Sequence, residues 1–372
     1  MELEADRYRL TEAEHQAIFD KRIKHHLFAD AKPQGHPVGV VFGGQPGAGK
    51  SAAVDAALGD LQDRGAAVQI IGDDMRGYHP RYARLMQEDD RTAAFYTDRD
   101  TGRWVEKAIQ YAKEQRLNIV IEGTMRDGDK VADTMQSLRG AGYEVDARVL
   151  AVDERLSWQG VLQRYEAQKA DRGSGRLTTP QAHQAAYDGL PLTIERIERD
   201  KLADRVTVYR RGGEAIYSNA LRAGDWQQPP GARATVEGER TRPMTLQERQ
   251  NYVEGYDKLA AMLTRPGRQA TAAEQRDVDE LRMRARRELA AEVFRQSDHA
   301  VAVEQHPELA GAYGVLAAIE KKAATDGLSQ EQARVILDRA RDHIAASIER
   351  GDPPTVQIRV KTERDPSRGM ER

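Results

Sequence analysis

The chain has 372 residues, of which 31% are charged and 6% are aromatic, and its formal net charge is −3. The nearly balanced charge argues against a nucleic-acid-binding protein that relies on bulk positive charge. The absence of cysteine excludes disulfides, thiolate metal sites and thiol nucleophiles. Without a signal-peptide core or an apolar run near the roughly 18 residues that span a bilayer, we expect a cytoplasmic protein that does not enter the membrane.

The first predicted elements are a helix, a strand and a glycine-rich loop. Thr11 and Glu14 form a capping-box pattern, which predicts a helix that continues to about Leu27. Residues 38–42 are a short apolar run typical of a buried strand. Residues 44–51, with the sequence GQPGAGKS, match the phosphate-binding pattern G-x-x-x-x-G-K-[ST] at every constrained position. An apolar pattern over 52–58 predicts the helix that follows.

This loop predicts a site for ATP and Mg²⁺. Glycines let successive backbone N–H groups turn toward phosphate oxygens, and the positive end of the following helix adds to the attraction. Lys50 is expected to reach the β- and γ-phosphates, and the Ser51 hydroxyl to help hold the metal ion. The predicted ATP-binding residues are Gly44, Gln45, Pro46, Gly47, Ala48, Gly49, Lys50 and Ser51.

Further along the chain, predicted strands alternate with predicted helices. The strands are expected at 68–71, 118–121 and 144–152, and the helices at 80–90, 91–115, 129–140, 156–170 and 179–201. A hairpin is expected at 206–217, turned at Gly212 and Gly213. The alternation predicts an α/β fold with a mostly parallel sheet flanked by helices, as in P-loop kinases. Ligands bind at the C-terminal ends of such strands, where Asp73, Glu122 and the loop are predicted to lie.

The character of the sequence changes near residue 225. We expect a kinase-like domain over 1–225, a linker over 226–244 because of its prolines and glycine, a helical region over 245–351, and a disordered charged tail over 352–372. The arginines of the helical region alternate with acids, which favours a solvated, salt-bridged helix over a nucleic-acid site. These arginines are Arg282, Arg284, Arg286 and Arg287. The histidines show no metal-binding spacing.

Over about residues 8–219 the sequence resembles the zeta-toxin family. The motifs that carry the resemblance occur in the family's order: GGQPGAGKS at 43–51, Asp73 followed by His79 and Pro80, VIEGT at 120–124, GYE at 142–144, RYE at 164–166, QAH at 181–183 and VYR at 208–210. The resemblance implies a UDP-N-acetylglucosamine kinase, which transfers the γ-phosphoryl group of ATP to the 3-hydroxyl of the amino sugar and so blocks peptidoglycan synthesis. It also implies a small helical antitoxin that covers the ATP site.

Two acids at strand ends are candidates for the chemistry. A carboxylate at Asp73 can accept a hydroxyl proton during phosphoryl transfer, and the resemblance makes it the catalytic base; a capping role fits Asp74 better. From sequence alone, Glu122 could organise Mg²⁺ through water. The resemblance instead implies that Glu122 and Thr124 bind the sugar nucleotide. It also implies, with no support from local pattern, that Glu106 and Arg126 contact the substrate.

Two arginines are candidates for neutralising the transferred phosphoryl group together with Lys50. Arg164 matches the family's Arg-Tyr-Glu segment. The second arginine of the family lies in the loop before Pro180, where an ungapped alignment places Leu177. Arg176 therefore requires a shift of one residue, and Arg172 competes with it.

Two other functions remain open at this point. The chain could be a P-loop kinase for another small molecule or for a polynucleotide end. It could also be a nucleotide-controlled binding protein whose helical region carries the output.

Overall fold

The computed structural model describes residues 6–354, so most of the tail predicted at 352–372 lies outside the described residues. The chain forms two compact units, Met1–Pro243 with Ala261–Gln269, and Met244–Ala260 with Ala270–Arg372. Within the described residues, no helix has the length and apolar character needed to cross a membrane.

The first unit alternates helices and strands, as predicted. A π-helical turn at Phe19–Ile23 joins the first two helices, and 3-10 turns occur at Gln62–Arg64 and Arg76–Tyr78. Its elements in chain order are α1 (Glu12–Ile18), α2 (Lys24–Leu27), β1 (Val38–Gly43), α3 (Lys50–Asp60), β2 (Val68–Ile71), α4 (Gly72–Met75), α5 (Tyr82–Glu88), α6 (Ala93–Glu114), β3 (Ile119–Glu122), α7 (Gly128–Gly140), β4 (Glu144–Ala151), α8 (Glu154–Arg172), α9 (Pro180–Arg199), β5 (Arg205–Arg210), β6 (Ala215–Arg222), β7 (Asp225–Trp226) and α10 (Ala232–Thr241).

The seven strands form one sheet in the order β2-β3-β1-β4-β5-β6-β7. Strands β1 to β5 run parallel, and β6 and β7 are antiparallel. Glu122 of β3 pairs in register with Phe42 of β1 and with Ile71 of β2. Because these three residues are in register on parallel strands, the chain segments that leave β1, β2 and β3 lie side by side at the C-terminal end of the sheet. The parallel pairing of β1 to β5 confirms the predicted mostly parallel architecture.

The core occupies both faces of this sheet. Val41, Ile119 and Ile121 belong to one apolar cluster, whereas Phe42 and Val120 belong to another. Neighbouring residues of a strand point to opposite faces, so the continuous apolar runs of β1 and β3 supply both clusters. This explains why the strand sequences are apolar throughout rather than alternating.

The structure differs from the prediction of a linker at 226–244. This segment contains β7 and α10, and Ala232 and Val236 of α10 are fully buried in the core of the first unit. The linker prediction is wrong here because the segment around Pro229, Pro230 and Gly231 ends before Ala232. Gly238 lies inside α10, and Pro243 follows its end. The apolar positions Ala232 and Val236 are four residues apart and form a helical face.

The second unit is helical, as predicted for residues 245–351. It contains most of α11 (Leu246–Leu263), then α12 (Ala272–Gln296), α13 (His299–Gln305), α14 (Ala310–Thr325) and α15 (Gln330–Arg350). Helix α15 packs against α12 and α14. The arginine-rich stretch of α12 is salt-bridged: Arg286 lies 2.8 Å from Asp257, and Arg284 lies 3.0 Å from Glu288.

Candidate active site

The phosphate-binding loop connects β1 to α3 as its sequence predicts. Gly47 and Gly49 adopt φ values of +77° and +91°, which favour glycine. No side chain caps α3, so the unpaired N–H groups of its first turn are available to an anion. Ser51 is exposed in this turn. The loop geometry therefore fits a phosphate chain, with the Ser51 hydroxyl beside it.

Lys50 folds back over the loop. Its Nζ donates to the carbonyl oxygens of Gly44 at 2.8 Å and Gln45 at 3.2 Å, and it lies 3.9 Å from Glu122 Oε1. Burial lowers the pKa of Lys50 to about 8, although the charge of Glu122 acts in the opposite direction. The ammonium group is thus charged at neutral pH and is held where it can move to a phosphate.

The loop also fits closely against α8. A Cβ at Gly47 would overlap the carbonyl oxygen of Ser157, and a Cβ at Gly160 would overlap the carbonyl oxygen of Gly47. Backbone therefore touches backbone at this point. Pro46 is half-buried beside this contact, whereas Ala48 is fully buried. The contact matters because α8 also carries Arg164.

Asp73 lies in the first turn of α4, directly after β2, between two arginines. Arg76 Nε donates to its Oδ1 at 3.2 Å, and Arg176 forms an ion pair with its Oδ2. Burial alone would raise the pKa of Asp73, but the charges of Arg176, Arg76 and Arg164 outweigh it and hold this pKa below its ordinary value. The carboxylate is therefore ionised at neutral pH and can accept a hydrogen bond.

Arg164 is a mostly buried cation with incomplete hydrogen bonding. Its Nη2 donates to Thr178 Oγ1 at 3.0 Å, whereas its Nε has no hydrogen-bond partner among the described residues. Burial, followed by the charge of Arg176, lowers the pKa of Arg164 to about 10. A charged group with a free donor in a partly dry site is suited to an anionic ligand.

The loop that carries Arg176 is held in place by several contacts. The main-chain N–H of Arg176 donates to Gln168 Oε1 at 2.8 Å, and the N–H of Gly175 donates to Asp90 Oδ2 at 3.1 Å. Asp90 also accepts from the Tyr165 hydroxyl at 2.9 Å. Arg172 is exposed in the last turn of α8. The structure thus brings Arg176, and not Arg172, to Asp73.

Glu122 lies at the end of β3, facing Lys50. Burial raises the pKa of Glu122, and the charge of Lys50 opposes this rise. The next residues turn sharply: Met125 has a φ of +51° and is buried where a Cβ at Gly43 would overlap its side chain. Thr124 is half-buried in this turn, two residues after Glu122.

The other two predicted substrate residues are less closely integrated. Arg126 is half exposed and lies 3.8 Å from Asp98, which also accepts from Arg76 at 2.7 Å. Glu106 is exposed on α6, and its side chain forms no hydrogen bond or ion pair within the described part of the chain. Arg126 is therefore connected to Asp73 through Asp98 and Arg76, whereas no such contact connects Glu106 to the site residues.

Arg76 was not among the predicted site residues, although this arginine holds Asp73 in place. Arg76 is buried, and besides the two aspartates it donates to the carbonyl oxygen of Ala94 at 2.7 Å and to Thr97 at 3.1 Å. The spacing of three residues from Asp73 is the only sequence signal, and it fits many surface pairs on helices. Only the packing of α4 on α6 distinguishes this pair.

The site fits Mg²⁺ held between protein and phosphate oxygens rather than by a protein cage. No group of three or more histidine or acidic side chains that could hold a metal ion occurs among residues 6–354. Ser51, Asp73 and Glu122 carry the side-chain oxygens nearest to this loop along the chain and the sheet. Mg²⁺ in phosphoryl-transfer sites takes few protein ligands and several from water and phosphate, so the Ser51 hydroxyl with phosphate and water oxygens could hold it.

Known proteins are similar to this chain in sequence and in fold. A family model described as Zeta toxin matches residues 24–222. The chain is 30% identical over 207 residues to Toxin zeta of Enterococcus hirae, covering 55% of this chain and 72% of the relative. It is 31% identical over 189 residues to Toxin PezT of Streptococcus pneumoniae, covering 50% and 74%.

A solved structure has the same fold. It comes from work on the PezAT chromosomal toxin–antitoxin system of Streptococcus pneumoniae, and it matches with a TM-score of 0.59 at 24% identity, covering 69% of this chain and 100% of that one. The matched family segment ends before α10 and before the second unit.

Proposed function

The chain belongs to the zeta-toxin family, and from that premise we propose that it is a toxin kinase. The proposed reaction transfers the γ-phosphoryl group of ATP to the 3-hydroxyl of the amino sugar of UDP-N-acetylglucosamine or a related UDP-sugar. The observation that carries the proposal is the position of the Asp73 carboxylate between Arg76 and Arg176, in the segment that follows β2 beside the end of β1, where the glycine-rich loop begins. A hydroxyl-binding group next to a phosphate-binding group is the arrangement that phosphoryl transfer to an alcohol requires.

In the proposed mechanism, the loop and Lys50 hold the ATP phosphates, and Asp73 orients the attacking sugar hydroxyl. The low pKa of Asp73 makes it a weak base, so its first task is to accept a hydrogen bond from the hydroxyl, and it takes the proton as the new P–O bond forms. The proton leaves the oxygen that attacks phosphorus, and the bond from the γ-phosphorus to the bridging oxygen of ADP breaks.

Two arginines would neutralise the charge that spreads over the phosphoryl oxygens. Arg164 has a free Nε for this purpose, and Arg176 can exchange part of its ion pair with Asp73 for a phosphoryl oxygen. Fixed guanidinium groups need no reorganisation as the charge develops. When bound, Mg²⁺ would neutralise the β- and γ-phosphate oxygens, with Ser51 among its ligands.

On the acceptor side, Glu122 and Thr124 would bind the sugar nucleotide, with Arg126 and Glu106 at its periphery. Glu122 is the best placed of these because it lies 3.9 Å from Lys50. Its raised pKa favours a role as a hydrogen-bonding group rather than as a permanent metal ligand.

We further propose a protein antitoxin as partner, a small helical protein that covers the ATP site. Supporting this, the related PezT structure belongs to work on a toxin–antitoxin system. An antitoxin at the loop would prevent ATP from binding, so the two should compete.

The direct test incubates the purified chain with ATP, Mg²⁺ and a panel of acceptors, and identifies products by mass. We expect one added phosphate on UDP-N-acetylglucosamine or a close UDP-sugar, and none with Asp73→Asn. Folded protein that phosphorylates none of the UDP-sugars would contradict the proposal, and phosphorylation of a nucleoside or an oligonucleotide end would assign a different acceptor.

A further inference from the structure

Arg240 is a buried cation at the C-terminal end of α10, outside the segment that the family model matches. The residue is 4% exposed. Its Nη1 donates to the main-chain oxygen of Tyr187 at 2.6 Å, and its Nη2 donates to Gln45 Oε1 at 3.0 Å. The guanidinium carbon lies 4.0 Å from the centroid of the Tyr187 ring. Its Nε has no hydrogen-bond partner within residues 6–354.

None of these contacts supplies a negative charge. Burial lowers the pKa of Arg240 to about 10, although the charges of Asp188 and Glu237 oppose this shift, and the group is still charged at neutral pH. Burying a cation that makes no direct contact with a carboxylate is unfavourable compared with burying an apolar side chain of similar size. Val236, one turn earlier on α10, shows that this helix packs on the sheet through apolar contacts. Packing alone therefore does not require a charge at position 240.

The contact with Gln45 connects Arg240 to the phosphate-binding loop. Gln45 is fully buried, and its Nε2 donates to the Val152 carbonyl at 2.7 Å and to Ser157 Oγ at 3.3 Å. Because arginine only donates, it fixes the amide with Oε1 toward itself and Nε2 toward Val152. The main-chain oxygen of the same residue accepts from Lys50 Nζ. Gln45 is thus held at its side chain by Arg240 and at its backbone by the phosphate-binding lysine.

We propose that Arg240 is a positioning residue for the phosphate-binding loop. Through Gln45 it keeps the loop in the conformation that accepts a nucleoside triphosphate. This inference rests on the ATP binding of the proposed function. If Arg240 has this role, α10 contributes to ATP binding although it lies beyond the matched family segment.

The test measures ATP affinity by titration calorimetry and steady-state kinetics for the wild type and Arg240→Met. We expect the variant to bind ATP about tenfold more weakly, as for the loss of one hydrogen bond made by a charged group. Its KM for the acceptor and its kcat at saturating ATP should be unchanged, because the lost interaction holds ATP equally in the ground and transition states. Arg233→Ala is the matched control, since Arg233 is a partly exposed arginine of α10 that pairs with Glu195 and Glu237.

A second variant tests the route through the loop. Gln45→Met removes the acceptor for Arg240 while keeping the volume, and it also removes the Nε2 hydrogen bonds to Val152 and Ser157. It should therefore weaken ATP binding at least as much as Arg240→Met. The double variant should lose little more than Gln45→Met alone, because both changes break the contact between the two residues. If Arg240→Met does not fold, an unchanged ATP affinity of Gln45→Met overturns the inference.

The outcomes separate the two proposals. If folded Arg240→Met or Gln45→Met protein binds ATP as tightly as the wild type does, the inference is overturned and the kinase proposal remains. Effects of the two changes that simply add would also overturn it, because the residues would then act independently. A wild type that binds no ATP would remove the kinase proposal and this inference with it.

Discussion

The first unit of the chain buries charged and amide side chains among apolar ones, whereas the second unit does not. Asp100, Arg148, Glu166 and Arg240 are all less than 10% exposed in the first unit. In the described part of the second unit, every buried side chain is apolar or a tyrosine. Buried polar groups are costly unless they are paired, so their concentration on one side of this boundary indicates where position-specific chemistry is located.

The same contrast appears in the distribution of ion pairs. In the second unit, pairs such as Lys322 with Asp326 and Arg334 with Asp338 are exposed and contribute little to stability. The pairs of Arg249 with Glu288 and Glu292 are more enclosed, and their side chains are 13–14% exposed. In the first unit, Glu166 is 3% exposed and receives two hydrogen bonds from Arg268 at 2.9 and 3.0 Å. Glu166 is two residues from Arg164, so this bidentate pair stiffens the part of α8 that serves the site.

The largest expected effect is at Asp73. Asp73→Asn removes the hydroxyl-orienting carboxylate and should lower kcat by about 10²–10⁴-fold, the usual range for a general base, while ATP affinity changes little. Asp74→Asn is the matched control, because Asp74 is its exposed neighbour in the same helical turn. Initial rates with saturating ATP and UDP-sugar measure both. A similar loss in the two variants would mean that the turn, rather than the carboxylate of Asp73, is required.

The next largest effect is expected at Arg176, with Arg172 for comparison. Arg176→Ala should lower kcat by about 10²–10³-fold, as for the removal of one preorganised donor to a developing charge. Arg172→Ala should leave kcat within about twofold, because surface changes away from a site are close to neutral. The structure pairs Arg176 with Asp73 and leaves Arg172 exposed. If kcat falls for Arg172→Ala and not for Arg176→Ala, the arginine assignment is reversed.

A smaller effect concerns pH and Lys50. Its pKa of about 8 means that the ammonium group is charged below pH 8 and loses its proton above it. ATP affinity should therefore be constant from pH 6 to 7 and fall as the pH rises through about 8, by at most about tenfold per pH unit. Bound phosphates raise this pKa, so binding near pH 8 should take up a proton, which calorimetry in two buffers with different ionisation enthalpies detects. Affinity that stays constant from pH 7 to 9.5 would contradict the placement of Lys50.

The smallest effect on activity is expected from the core of the second unit. Phe294 is fully buried there and lies 4.7 Å from Tyr313, ring centre to ring centre. Phe294→Ala should lower the free energy of unfolding of this unit by about 3–5 kcal/mol and leave kcat and KM unchanged at temperatures where it stays folded. The control is Met283→Ala on the same helix, since Met283 is 60% exposed. Loss of kcat in folded Phe294→Ala protein would show that the second unit takes part in catalysis.

Local sequence patterns predicted the sheet and the loop that is expected to bind ATP, the phosphoryl donor. The loop from Gly44 to Ser51 is a contiguous motif, and the apolar runs of β1 and β3 are long enough to identify buried strands. Asp73 and Glu122 were found because each directly follows a strand, and parallel strands bring their ends together.

Long-range contacts were beyond such patterns. Arg76 and Arg240 resemble ordinary helical arginines in the sequence, and their roles depend on Asp98 and Gln45, which are 22 and 195 residues away. The segment 226–244 was predicted as a linker because its turn residues are conspicuous, while the two apolar side chains that pack α10 on the sheet are not. Arg176 is a loop residue, and no periodicity constrains which arginine of a glycine-rich loop reaches Asp73.

The central claim, that the first unit moves a phosphoryl group from ATP to a sugar hydroxyl beside Asp73, is tested most directly by locating the phosphate on the product. Phosphorus–proton correlation NMR of the reaction with UDP-N-acetylglucosamine identifies the proton nearest to the new phosphate. We predict a new phosphomonoester coupled to the proton on carbon 3 of the amino sugar with the wild type, and none with Asp73→Asn. A phosphate on another position, or an equal yield from Asp73→Asn, would contradict the account.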